Sequence, residues 1–259
     1  MDKRKCGAPP ESKLWCLHGN LQTQDVWRPF EEAFTLPGNA TGQPARPLPL
    51  KTVDLWGESP TSLEAWAHAF CKRVMLDCQG FPQFLMGYSL GGRLALHAAI
   101  ANPSLWRGII VIAGHPGIEN PAERHQRLET DKNWGRRFLT EPWGRLLADW
   151  NKQAVFLGGS KPVPPAEKAF DRGSISLWFD RCSTGRQNNL RPSLARLERP
   201  PILYLSGAGD RKYTGFGRDL ASACPCLAHQ IIPGAGHRVP WEISQAFVES
   251  VQSFINDKL

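Results

Sequence analysis

No apolar run in these 259 residues approaches the roughly 18 to 20 that a membrane-spanning helix needs, so insertion into a bilayer is not expected. The opening stretch Met1-Asp2-Lys3-Arg4-Lys5-Cys6 is charged and runs into Pro9-Pro10, without the apolar segment of a secretory signal. A cytoplasmic location is the expectation. The seven cysteines form no ladder of regular spacings, and Cys224 and Cys226, separated only by Pro225, match neither a CxxC redox pair nor a zinc knuckle. Free thiols in a reducing compartment are therefore expected rather than a disulfide framework. The chain also lacks a Lys/Arg-rich run of five or more. Its net charge of +7 is spread out, which argues for a field attracting a small anion rather than for nucleic-acid binding. Internal repeats and low-complexity segments are absent as well.

What is present fits one sizeable globular domain, with 41% hydrophobic and 21% charged residues. Leu14 to Leu17, Lys51 to Leu55 and Gln83 to Met86 read as strands. Gly108 to Ala113 and Pro201 to Leu205 are continuous apolar runs, as expected for strands buried on both faces of a parallel sheet, and Gln230 to Ile232 is a third. Leu63 to Val74, Leu90 to Ala101 and Gln245 to Ile255 read as helices. Strands alternating with helices predict an α/β fold with a mostly parallel central sheet flanked by helices. From Ile118 to Arg191 the pattern changes to helical segments carrying Trp134, Trp143, Trp150 and Trp178. Residues 118–191 are therefore expected to form an inserted helical lid, with 1–117 and 192–259 as the core domain. The lid carries 13 Lys/Arg against nine Asp/Glu, four of the seven excess positive charges.

Gly87-Tyr88-Ser89-Leu90-Gly91 is a G-x-S-x-G between a predicted strand and a predicted helix. Small residues at both ends permit a tight turn that lifts a serine hydroxyl above the sheet edge. A serine needs a base to become reactive. His237, in Gly234-Ala235-Gly236-His237, follows a predicted strand, where catalytic groups gather in open α/β sheets. Asp210 ends Gly207-Ala208-Gly209-Asp210, also directly after a strand, and can fix the histidine tautomer. The order Ser89, Asp210, His237 is that of α/β-hydrolases. The loop His18-Gly19-Asn20 after the first strand is expected to give the Asn20 N–H, and the helix start the Leu90 N–H, as an oxyanion hole. His18 itself reads as structural, and His97 as a packed or surface residue.

Gly87 to Arg93 with Gly114-His115-Pro116-Gly117, and the phrases Arg136 to Pro142 and Ala148-Asp149-Trp150, resemble the 2-succinyl-6-hydroxy-2,4-cyclohexadiene-1-carboxylate synthases of menaquinone and phylloquinone biosynthesis, a branch of the α/β-hydrolase fold. The resemblance implies a cofactor-free, metal-free lyase that removes pyruvate from a cyclohexene bearing several carboxylates. It implies proton abstraction by the triad, and a substrate site lined by Tyr88, Arg93, Arg127, Trp150 and Arg172. Arginine suits such a polycarboxylate because its fork binds carboxylates bidentately. Asn20 stands where many relatives carry a bulky apolar residue. Asp54-Leu55-Trp56-Gly57-Glu58 replaces the usual proline-glycine-histidine-glycine phrase. A serine hydrolase acting on an ester or thioester of a small anion uses the same triad and is the alternative.

Overall fold

The computed structural model describes residues 12–36, 45–157, 159 and 166–258; the charged opening Met1 to Cys6 lies outside this set. Its strands are β1 (Leu14–Leu17), β2 (Thr35–Leu36), β3 (Arg46–Pro47), β4 (Leu50–Val53), β5 (Gln83–Tyr88), β6 (Trp106–Ile112), β7 (Ile202–Gly207) and β8 (Leu227–Ile232). Six of them form one parallel sheet in the order β4-β1-β5-β6-β7-β8, while β2 and β3 make a short antiparallel pair.

The strand pleat divides the core in two, because successive side chains point to opposite faces. Leu85, Ile109, Val111, Ile202 and Tyr204 face one side, whereas Phe84, Met86, Ile110, Ile112, Leu203 and Leu205 face the other. Burial on both faces explains the unbroken apolar runs, and each such side chain contributes about 1.5–3 kcal/mol relative to exposure.

Between and after the strands lie helices α1 (Leu63–Asp77), α2 (Leu90–Ala101), α3 (Pro121–Thr140), α4 (Trp143–Asn151), α5 (Arg172–Arg181), α6 (Arg191–Leu194), α7 (Arg211–Ala223), α8 (Val239–Glu242) and α9 (Ser244–Asn256). The Ser62 hydroxyl caps α1 by accepting from the Ala65 N–H, and the helix buries Leu63, Trp66, Ala67, Phe70, Cys71 and Val74, one stripe at helical spacing. The Phe70 ring stacks on Trp66 at 4.6 Å and on Trp106 at 6.0 Å. Phe70→Ala at this junction would cost about 3–5 kcal/mol. On the opposite face α9 buries Phe247, Val251, Phe254 and Ile255.

Helices α3, α4 and α5 follow one another between β6 and β7. Gly135 of α3 lets the Ser176 carbonyl of α5 approach to 3.1 Å of where a Cβ would stand. Trp134, Phe138, Trp150 and Phe179 join these helices to the core cluster on the α1 and α2 side of the sheet. No described helix is long and apolar enough to cross a membrane.

Candidate active site

Strand β5 delivers the chain into α2 through Ser89, whose φ of +51° lies in a region that a residue with a side chain rarely enters. The turn is possible because its flanks are glycines. A Cβ on Gly87 would come within 2.1 Å of the Gly91 carbonyl oxygen, and one on Gly91 within 2.3 Å of that of Leu17. The Ser89 N–H donates to Ile112 O at 2.8 Å, fixing the turn to β6.

The three residues expected to form a triad meet. His237 Nε2 lies 3.4 Å from Ser89 Oγ, and Nδ1 lies 2.6 Å from Asp210 Oδ2. Asp210 sits just past β7 as the N-cap of α7, with Oδ1 accepting from the Tyr213 N–H. His237 follows β8 on a loop held by Glu242, which accepts from the Gly236 N–H. Both members of the His–Asp pair are buried, which strengthens a charge-assisted hydrogen bond by excluding water.

Asn20 and Leu90 line the space around Ser89 and Arg93. Among the described residues, neither the Asn20 nor the Leu90 N–H donates to a protein acceptor, whereas the Gly19 N–H is taken by Gln22 and the Gly91 N–H by His18 O. That pattern leaves both donors for a developing oxyanion. His18 has a different role. Its Nδ1–H donates to Gly19 O and its Nε2 accepts from the Leu55 N–H, so it is a neutral strut tying the β1 and β4 loops together. Burial holds its pKa down at about 4. The departure at Asp54 to Glu58 fits this strut, since Leu55 supplies the N–H and the Trp56 indole donates to Gln22 O.

A cavity of about 480 Å³ opens over Ser89 and His237, walled by Asn20, Arg127, Trp150, Phe156, Lys212 and Tyr213 among others. Among the described residues its only carboxylate is Asp210, already engaged, while Arg127, Arg211 and Lys212 bring cations to the wall. Arg127 Nε bonds both oxygens of the buried Asp131 at 2.9 Å, which Ser183 also donates to. Its terminal nitrogens donate to no other described residue. The Lys212 pKa is lowered, by partial burial first and by Arg127 second.

Other expected substrate residues stand elsewhere. Arg93 is buried, donating from Nε to Gln187 Oε1 and from Nη2 to Cys182 O, both at 2.6 Å. It reaches only a recess of about 10 Å³, the size of one water, shared with Asn20, Leu90 and Arg127. Burial and the neighbouring Arg127 bring its pKa down to about 10. Tyr88 is not on the cavity wall. The β5 pleat sends it with Phe84 and Met86 to the α9 side, where its ring packs on Trp241 at 4.9 Å and under His237 at 5.4 Å. Arg172 is likewise off the wall. Its guanidinium donates to Phe138 O and Glu141 O, capping the end of α3, and pairs with Glu167 at 2.7 Å. Free carbonyls at a helix C-terminus claim it instead of a substrate.

Sequence reasoning passed over Lys212, Tyr213, Phe156 and Arg238. The first two lie in the first turn of α7, whose helical pattern is weakened by Gly215 and Gly217. Phe156 and Arg238 carry no sequence signal of their own.

The alpha/beta hydrolase family model matches residues 16–250. The 2-succinyl-6-hydroxy-2,4-cyclohexadiene-1-carboxylate synthase of Pectobacterium atrosepticum is 30% identical, over 96% of both chains. That of Escherichia coli strain K12 is 32% identical, over 97% of this chain and 96% of that one. The solved structure of MenH from S. aureus superposes with a TM-score of 0.81 at 21% identity, covering 98% of this chain and 97% of the other. With near-full-length relatives at this identity, the chain belongs to the alpha/beta hydrolase family and, within it, to the 2-succinyl-6-hydroxy-2,4-cyclohexadiene-1-carboxylate synthases.

Proposed function

We propose that this chain is a lyase of menaquinone or phylloquinone biosynthesis. It eliminates pyruvate from 2-succinyl-5-enolpyruvyl-6-hydroxy-3-cyclohexene-1-carboxylate to give 2-succinyl-6-hydroxy-2,4-cyclohexadiene-1-carboxylate, acting in the cytoplasm. The observation that carries the chemistry is the Ser89–His237–Asp210 relay opening into a cavity whose free charges are cationic.

His237 takes the Ser89 proton, and Ser89 Oγ takes the ring proton beside the succinyl ketone. Asp210 holds the imidazole tautomer and stabilises its charged form. The enolate that forms is held by the Asn20 and Leu90 N–H groups. Its electron pair then moves through the ring double bond and expels enolpyruvate from the allylic carbon, leaving the conjugated diene. His237 then gives its proton to the released enolate, which tautomerises to pyruvate, so protons and electrons balance without a redox step. Arg127 and Lys212 would hold substrate carboxylates, with Arg93 acting through the recess it shares with Arg127. Residues 118–191 form the lid in this reading, with Trp150 and Phe156 as its face over the triad.

The test is to supply the enolpyruvyl substrate, made in situ by the preceding enzyme, and to follow pyruvate release beside hydrolysis of a simple aryl ester. Pyruvate release abolished by Ser89→Ala is expected. Fast ester turnover without pyruvate would replace the lyase with a hydrolase.

A further inference from the structure

We propose that Cys224 and Cys226 form a dithiol site that small-molecule disulfides oxidise to an intramolecular disulfide. Their Sγ atoms lie 3.5 Å apart, in van der Waals contact. Two residues apart, their Cα atoms cannot separate by more than about 7 Å, close to the span a disulfide accepts.

The backbone holds this pairing in place. Cys224 caps α7 through its N–H to Leu220 O, and its carbonyl accepts from the Leu227 N–H at 3.0 Å. The Cys226 carbonyl accepts from the Ile202 N–H at 2.8 Å, anchoring it to the start of β7. Pro225 between them has a fixed φ, so little conformational freedom remains to be lost when the ring closes.

Access is asymmetric. Cys224 is 1% exposed, whereas Cys226 is partly exposed and lines a groove of about 460 Å³ with Pro225, Leu227, Phe254 and Lys258. The groove is within the size range of small-molecule sites. The hydrogen bond between the two sulfurs draws the Cys224 thiol pKa down and pushes that of Cys226 up, so the pair shares one proton. The other described cysteines touch no second sulfur, and burial pushes the thiols of Cys71 and Cys182 up to about 12. Among the described residues, this corner alone brings two sulfurs together for exchange.

The steps balance as thiol–disulfide exchange. Cys226, the accessible sulfur, passes its proton to Cys224 and as the thiolate attacks an external disulfide RSSR, breaking its S–S bond and releasing one RS⁻, which takes a proton from solvent. Cys224 Sγ then attacks Cys226 Sγ, expelling the second RS⁻ with the second proton. The dithiol loses two electrons and RSSR becomes two RSH. The corner joins α7, which begins at Asp210, to β8, which leads to His237, yet neither cysteine lines the catalytic cavity.

The test uses the full-length protein treated with oxidised glutathione, quenched in acid, unfolded, alkylated and digested with trypsin. The peptide from Asp219 to Arg238 contains these two cysteines and no other. It should appear two hydrogens lighter and unalkylated until reductant is added, and Cys224→Ser should instead trap a glutathione adduct on Cys226. Recovery of the wild-type peptide doubly alkylated, or as a stable glutathione adduct without the bridged form, would overturn the proposal. The wild-type result decides even if the variant fails to fold.

Discussion

The Arg238 guanidinium carbon lies 4.0 Å from the centroid of the Phe156 ring. Arg238 directly follows His237, and its Nη2 also donates to Asn151 Oδ1 at the end of α4 at 2.6 Å. One side chain therefore fastens the segment above the cavity to the loop that carries His237. A cation over an aromatic face contributes about 0.5–2 kcal/mol, and the charged hydrogen bond a similar amount. Arg238→Ala is expected to lower the thermal midpoint and to reduce kcat about tenfold, by loosening Phe156 over His237. Unchanged kcat with a lower midpoint would reduce this contact to a stabilising one.

Ser89 stores strain in its backbone, since a φ of +51° costs a residue with a Cβ about 1–3 kcal/mol. Glycine has no such penalty. Ser89→Gly should therefore raise stability by about 1 kcal/mol while removing at least about a thousandfold of the turnover, the scale lost when a triad member is deleted. Denaturant unfolding of the variant checks the first half and pyruvate release the second. A less stable Ser89→Gly protein would mean that the turn is not strained.

The sheet was the legible part of this chain. Ile109 to Ile112 and Ile202 to Leu205 read as double-faced strands, and G-x-S-x-G between β5 and α2 picked out Ser89. Helix α7 was not legible, because Gly215 and Gly217 weaken its helical pattern. The structure supplies a reason for Gly217, where a Cβ would meet the His229 ring at 2.5 Å. The positions of Tyr88 and Arg172 were hidden for a different reason. Which way a side chain points depends on the pleat of β5 in one case and on the unsatisfied carbonyls ending α3 in the other, neither of which a motif records.

The arginines can be separated by experiment. Arg127 has terminal nitrogens without a protein acceptor among the described residues and lines the cavity, so Arg127→Ala should reduce kcat/KM about 10- to 100-fold, the loss expected for one charge-assisted carboxylate contact. Arg172→Ala removes two hydrogen bonds to the end of α3, so it should lower stability by about 1–2 kcal/mol and leave KM within about twofold. A large KM increase in the Arg172 variant would return that residue to the substrate site.

Acid should destabilise the fold well above the range where carboxylates titrate. Three histidines are buried in their neutral forms, with His18 and His97 held at about 4 and His115 at about 2, chiefly by burial. Among the described residues His97 Nε2 has no hydrogen-bond partner, and His115 Nδ1 already accepts from the Gly117 N–H. In the unfolded chain each would titrate near 6.5. Between these values the unfolded state binds more protons than the folded one, so stability is complete above about pH 6.5 and declines as pH falls towards 4. Each group adds a slope approaching 1.4 kcal/mol per pH unit within that window. Urea unfolding at pH 7, 6 and 5 should therefore show a midpoint that falls at each step at unchanged m-value. His97→Phe, which removes one of the three protons by replacing the ring with an apolar one, should flatten the decline. Stability independent of pH from 7 to 5 would show that these imidazoles are not held neutral by the fold.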